Sequence, residues 1–259
     1  MEVCLVTGIT GAISSNYRNL ASGYRINSAA DNASGLSISE RMQNLQNAYD
    51  TGAENAEAGN NVLNVADGAL SSIQDSLGRI RELGLQASNS ALYSQDELAM
   101  FQDEIDQIMQ GITDVAKNTQ FNGLKLLDGS MATMDLATNP SGRGQSIQME
   151  NATLQNLGIA GFDVTGSFNL QDIDDAIQKV SDARSSIGAQ SNRLDYTIAS
   201  NQSASFNIQS ANSSIRDTDM AKEISSLKKN QILQQVQINM QKKRQEDEAQ
   251  RKRTLIQIN

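Results

Sequence analysis

The chain has 259 residues, enough for one or two domains, with 38% hydrophobic residues, 4% aromatic residues and no Trp. Its 21 basic and 30 acidic residues leave a net charge of −9, which argues against a nucleic-acid partner and suits a soluble monomer that repels its own kind before assembly. The absence of His excludes His-based triads and HExxH zinc sites, and the single Cys4 excludes an internal disulfide and a Cys-cluster zinc site.

Segment 1–13 carries a short apolar stretch whose only charge is Glu2, so it lacks the basic start of a Sec signal peptide. Cys4 has no His to activate it and reads as incidental rather than nucleophilic. No apolar run approaches the ~20 residues that span a bilayer, so membrane insertion is not expected. Only one proline, Pro140, interrupts the chain, which leaves long helices unopposed.

The stretch from about Leu36 to Gln86 reads as helical. Leu63, Ala66, Leu70, Ile73, Leu77 and Ile80 follow 3-4-3-4-3 spacing, the narrow seam of a coiled coil, widened by Val62, Val65 and Ala69. Gly52, Gly59 and Gly68 weaken this helix, and Gly84 with Ser88, Asn89 and Ser90 ends it. A second helix opens on Ser94 and Glu97, an S-x-x-E capping box, and repeats the spacing through Leu98, Phe101, Ile105, Ile108, Ile112 and Val115. The short polar break between the two predicts an antiparallel pair.

After Val115 the pattern changes. Asn122-Gly123 is a hairpin signal, flanked by Phe121 and by Leu124, Leu126 and Leu127. Residues 128–169 are rich in Gly, Ser, Thr and Asn, and short strands are expected around Ser146–Met149 and Phe162–Phe168. Helix returns near Asp172, where Asp174 and Asp175 oppose the helix dipole rather than hold a metal. Its seam runs through Leu170, Ile173, Ile177, Val180, Ile187, Leu194 and Ile198, with Arg184 and Ser191 at two seam positions. Phe206, Ile208, Ala211 and Ile215 follow, then Met220, Ile224, Leu227, Ile232, Val236 and Met240. Segment 242–253, KKRQEDEAQRKR, holds six basic and three acidic residues. The bland reading of this charge run is a solvated polar segment.

The fold class read from these patterns is mainly α. Long antiparallel helices form a coiled-coil-like rod bundle, with a short β-hairpin region in the middle of the chain. Helices from distant parts of the sequence must pair, because each seam needs a partner. No catalytic constellation interrupts the pattern, so we expect no enzyme, cofactor or metal site.

Several blocks carry a family likeness. Ser22-Gly23-Tyr24-Arg25-Ile26-Asn27-Ser28-Ala29 and Asp31-Asn32-Ala33-Ser34-Gly35-Leu36-Ser37-Ile38 resemble the N-terminal signature of bacterial flagellins. So do Gly68-Ala69-Leu70, Arg79-Ile80-Arg81-Glu82-Leu83 and Asn118-Thr119-Gln120-Phe121-Asn122-Gly123. Arg184–Leu194, Ile215–Ala221 and Gln231–Gln235 resemble the C-terminal half of the same family.

The resemblance implies a short form with only the D0 and D1 regions. Residues 1–32 would be an N-terminal D0-like segment and connection, and 216–259 a C-terminal D0-like segment. The D1 rod would be 33–215, with helices 36–87 and 94–117, a β-rich middle 118–169 and a helix 171–215. It implies a structural subunit of the flagellar filament that self-assembles through heterologous contacts, supports motility and leaves the cell by type III export. Implied partners are the chain itself, an export chaperone at the C-terminal segment, hook-associated and cap proteins, and the vertebrate flagellin-sensing Toll-like receptor. For that receptor the matching positions are Arg79, Leu83 and Glu104, all expected on exposed faces. Two stretches depart from the family pattern, the opening MEVCLVTG and the charge-dense Lys242–Arg253. The isolated chain is expected to be monomeric, with both ends frayed. The rival readings are a hook–filament junction protein and a secreted membrane-active helical protein. A carboxylate enzyme built on Asp103 with Glu104, or on Asp172 with Asp174, ranks last, because neighbours in sequence point to different sides of a helix.

Overall fold

The computed structural model describes the backbone of residues 2–89 and 92–257 and the side chains of residues 8–89 and 92–253. Cys4 and Ser90, singled out above, fall outside those described side chains. In chain order the elements are α1 (Glu2–Ser22), α2 (Ala29–Ala87), α3 (Gln95–Asn118), β1 (Gln120–Phe121), β2 (Leu124–Lys125), β3 (Thr133–Leu136), β4 (Gln145–Gln148), α4 (Leu154–Leu157), α5 (Leu170–Arg216) and α6 (Met220–Gln257). The mainly α expectation and the central β region both hold. The chain divides into two compact units, residues 47–205 and residues 1–46 with 206–259.

The larger unit holds the apolar core. Leu63, Leu70, Ile73, Leu77, Ile80, Leu98, Ile105, Ile112, Ile173, Val180, Ile187 and Leu194 are buried, and Phe101, Ile108, Ile177 and Ile198 pack half-buried against them. Helix α5 turns slightly further than a strict heptad. Ala176 and Ala183 are buried, while Ile177 sits at the edge and Arg184 points to the rim. Polar pairs at that rim fix the direction of α5 on α2. Asn60 bonds Asp195 at 2.6 Å, Arg184 bonds Asp67 at 2.8 Å, and Arg81 bonds Asp174 at 2.6 Å, so the two helices run antiparallel.

Helix α3 starts where the capping box predicts. The Ser94 hydroxyl accepts from the Glu97 N–H, and the Glu97 carboxylate accepts from the Ser94 N–H at 2.7 Å. Asn122-Gly123 forms the turn between β1 and β2, with both residues at positive φ, as a tight hairpin turn requires. Strands β3 and β4 pair antiparallel, Thr133 opposite Gln148 and Leu136 opposite Gln145. This hairpin lies on the α2–α5 pair, with Ile147 fully buried. Asn201 of α5 donates to the Thr138 carbonyl at 2.8 Å, and Arg193 donates to the Ser146 carbonyl at 3.0 Å.

Phe162–Phe168 is not a strand. Gln102 of α3 takes up the backbone groups that a neighbouring strand would have used, accepting from the Val164 N–H at 2.8 Å and donating to the Phe162 carbonyl at 3.2 Å. Asp163 folds the next residues by accepting from the Thr165 N–H, and Phe162 and Phe168 meet edge to face at 5.5 Å. The short α4, not foreseen in the sequence, closes on Gly158 in the left-handed region.

In the smaller unit, α2 begins earlier than expected and is broken at Asn32, an extended residue whose side chain accepts from the Gly35 N–H at 2.9 Å. Helices α1 and α6 pair antiparallel through amides. Asn16 and Asn19 donate to Glu223 at 2.8 and 3.1 Å, and Asn230 donates to Asn16 at 3.0 Å. The end of α5 is tied to the α1–α2 connection by the Arg25 guanidinium on the Ile215 carbonyl and by the Arg25 N–H on the Arg216 carbonyl. Arg216 lies over the Tyr24 ring at 4.5 Å.

Candidate assembly and recognition surfaces

Two surfaces are candidates for contact with partners, an outward face of α2 and α3 and the exposed apolar part of α6. On the first, Arg79 and Glu104 come together. The Arg79 Nε and a terminal nitrogen donate to Glu104 at 2.9 and 2.7 Å, and the other terminal nitrogen reaches Glu82 at 3.2 Å. Both carboxylates hold the Arg79 guanidinium charged, the Glu104 hydrogen bond most strongly. The side chains of Arg79 and Glu104 are about half exposed, at 47% and 45%, so the pair is open to an approaching partner.

Leu83 does not join them. It is 1% exposed, contrary to the expected outward position. The seam position after Ile80 belongs to Gly84, which has no side chain, and Leu170 and Phe162 crowd the space a Cβ would take. Leu83, three residues after Ile80 on the same helix, is buried in the same core cluster. The exposed leucine of this region is Leu85, at 54%.

The acidic groups do not converge. Asp174 is bound to Arg81, and Asp175 accepts from Gln171 at 2.8 Å. Among the described residues, no group of three or more His, Cys, Asp or Glu is placed to hold a metal ion. No helix is long and apolar enough to cross a membrane, again among the described residues.

On α6 the apolar side chains Ile224, Ile232, Leu233, Val236, Ile238 and Met240 are all more than a third exposed. These side chains spread over more than half of the helix circumference, and so many exposed apolar groups on one helix are unusual for a surface meant to stay in water. Beyond it every residue from 241 to 253 is exposed.

The chain matches known proteins along most of its length. The family model of the bacterial flagellin N-terminal helical region matches residues 7–132, and that of the C-terminal helical region matches residues 170–250. Flagellin of Halalkalibacterium halodurans is 38% identical over 224 residues, which span 83% of this chain and 82% of that protein. The flagellar filament 33 kDa core protein of Treponema phagedenis is 33% identical over 246 residues, or 86% and 85% of the two chains. The crystal structure of Bacillus cereus flagellin superposes with a TM-score of 0.51 at 25% identity, over 57% of this chain and 88% of that one. Two terminal regions matched in the family's order, and relatives at 33–38% identity over most of both chains, establish that this chain belongs to the bacterial flagellin family.

Proposed function

We propose that the chain is a structural subunit of the bacterial flagellar filament, assembling with copies of itself and supporting motility. The observation that carries this reading is the set of exposed apolar side chains on α6 in a chain of flagellin ancestry. A single chain leaves them wet, and burial against neighbours would recover roughly 25 cal/mol per Å² of apolar surface. Contacts between unlike faces of identical subunits do not close, so they propagate as a helical polymer.

Within that polymer, residues 33–215 form the D1 rod, and residues 1–32 and 216–259 form the D0-like segments. The subunit is exported by the flagellar type III route, with an export chaperone held on the C-terminal segment, and it abuts hook-associated and cap proteins at the filament ends. It acts as a building block rather than as an enzyme. Among these readings, filament subunit is favoured over hook–filament junction protein, because the relatives aligned over most of both chains carry the names flagellin and filament core protein.

The test is polymerisation of the purified chain at high salt, followed by electron microscopy. The expected product is a filament in which this chain repeats along the whole length. Persistently monomeric protein, or short terminal assemblies only, would overturn the reading.

Recognition by the vertebrate flagellin-sensing receptor rests on Arg79 and Glu104, with Leu83 supporting the face from beneath. The Arg79→Ala variant is expected to lose affinity for the receptor ectodomain in a titration, as removal of an exposed Arg anchor does elsewhere. Unchanged tight binding would remove this face from the contact.

A further inference from the structure

A groove of about 570 Å³ lies within the smaller unit, between the first part of α2 and the end of α5. That volume falls in the ~300–1,000 Å³ range of small-ligand sites, but its walls are polar where most such sites are apolar. Gln43 and Gln46 come from α2. Phe206, Gln209, Asn212 and Arg216 come from successive turns of α5 at helical spacing, and Tyr24 joins them from the α1–α2 connection.

Charge, unmet hydrogen bonds and an open aromatic ring define the ligand chemistry. Arg216 and Asp217 are the only charged groups among the described lining residues, and they offset each other. Neither an anion nor a cation is preferred. Asn212 Oδ1 and Arg216 Nε are enclosed, and neither has a hydrogen-bond partner in the chain. Enclosed polar groups normally find a partner, because leaving them unpaired is costly. The side-chain amides of Gln43, Gln46 and Gln209 also have no partner among the described residues. Such amides both donate and accept. Phe206 is 69% exposed, so most of its ring is open, whereas Arg216 lies over the Tyr24 ring.

We propose that this groove binds a neutral saccharide, of roughly two or three sugar rings by its volume. Sugar hydroxyls donate and accept alike. They therefore answer Arg216 Nε, Asn212 Oδ1 and the glutamine amides together, whichever way each amide is turned. A small rotation of Asn212 and Arg216, both partly exposed as residues, presents the two enclosed atoms to the ligand. The C–H face of a sugar ring is slightly positive and packs on the negative face of Phe206. Asp217 accepts from the Ser213 hydroxyl at 2.5 Å and keeps acceptor capacity for a further hydroxyl. An inorganic anion would meet the Asp217 carboxylate, and an apolar ligand would strand the amides.

NMR titration of the full chain, held monomeric at low salt, tests the site with maltotriose, cellotriose and chitotriose as probes. At least one of the three is expected to shift the side-chain amide signals of Gln43, Gln46, Gln209 and Asn212 saturably, with a Kd of about 0.1–1 mM. The amides of Gln110 and Gln178, bonded to Asp114 and Asp182 on other parts of the chain, should stay still. Phe206→Ala and Asn212→Ala should each weaken binding roughly fivefold or more. Phe206→Trp, which keeps a ring, should retain binding, and so should Arg79→Ala on its separate face. Circular dichroism melts equal to wild type separate lost contact from lost fold, and where Phe206→Ala melts early the Asn212→Ala titration decides.

Four results would each overturn the site. One is the lack of a saturable shift with any of the three sugars at about 10 mM. The others are shifts that include Gln110 and Gln178 equally, displacement of the sugar by sulfate, and folded Phe206→Ala and Asn212→Ala variants that bind as wild type does. Polymerisation is a separate measurement, so the filament reading stands or falls independently of them.

Discussion

Arg79 and Leu83 are four residues apart on α2, yet one is half exposed and the other is sealed in the core. A four-residue step on an α-helix turns the side chain by about 40°, enough to cross the boundary of a narrow seam. At Gly84 the space of the missing side chain is taken by Leu170 and Phe162 from distant segments, and Leu83 beside it is buried in the same core. The candidate contact was therefore legible for Arg79 and Glu104, which sit one residue before the seam residues Ile80 and Ile105. It was illegible for Leu83, because burial next to a glycine depends on which residues of a distant segment arrive to fill the gap. Ile105 is the plainer case, fully buried among α2, α3 and α5 side chains. Ile105→Asp loses a core isoleucine, typically ~2–5 kcal/mol, and adds the cost of a buried carboxylate. A circular dichroism melt should show a large drop in midpoint, and an unchanged melt would place Ile105 outside the core.

Helices that share one seam do not tolerate the same changes along their length. Gly68 and Gly78 of α2 have open space where a Cβ would be, whereas a Cβ on Gly52 would lie 2.5 Å from the Thr138 carbonyl. Gly→Ala at either open position should raise stability by roughly 0.5–1 kcal/mol through helix propensity alone. Gly52→Ala should lower it by pushing the β3–β4 hairpin off α2 and stretching the Asn201 bond. Denaturant titration of the three variants checks the contrast in sign. The start of α3 adds a pH signature. Backbone and hydroxyl hydrogen bonds from Ser94 hold the Glu97 carboxyl below its ordinary range. A carboxylate with a lowered folded pKa stabilises the fold above its unfolded pKa, and that contribution fades as pH falls through the folded value. Amide exchange at residues 95–98 should accelerate in acid for wild type and show less acid dependence in Glu97→Gln. This cap could be read from four residues of sequence, as could the seams, because both are local patterns. The Phe162–Phe168 segment could not. Its backbone is satisfied by Gln102, some sixty positions earlier, and no local pattern records that partnership.

At the scale of the molecule, stability is unevenly stored. The unit spanning residues 47–205 contains the large apolar core, whereas the unit made of residues 1–46 and 206–259 buries Ile26 among its described hydrophobic side chains and otherwise relies on amide and backbone bonds. Polar pairs of that kind are worth little in water unless apolar burial backs them. The elements at the two ends are α1 (Glu2–Ser22) and α6 (Met220–Gln257), and the fraying expected of the isolated monomer should appear there as low protection. Hydrogen exchange on the monomer should find slow amides in 63–80, 105–112 and 173–194 and fast ones in α1 and α6. Equal protection throughout would contradict this account. The β3–β4 tip has a different consequence. Residues Asn139–Arg143 close the hairpin with the Gly142 N–H on the Asn139 carbonyl and the Asn139 N–H on the Arg143 carbonyl, and the ladder to Leu136 and Gln145 is complete below them. Loop length there enters stability only logarithmically, each doubling adding ~0.6 kcal/mol. The rod can therefore carry a foreign loop or a whole appended domain at this tip while its core keeps the same contacts, and the sequence of the tip is free to drift at a rate the seams beneath it cannot share.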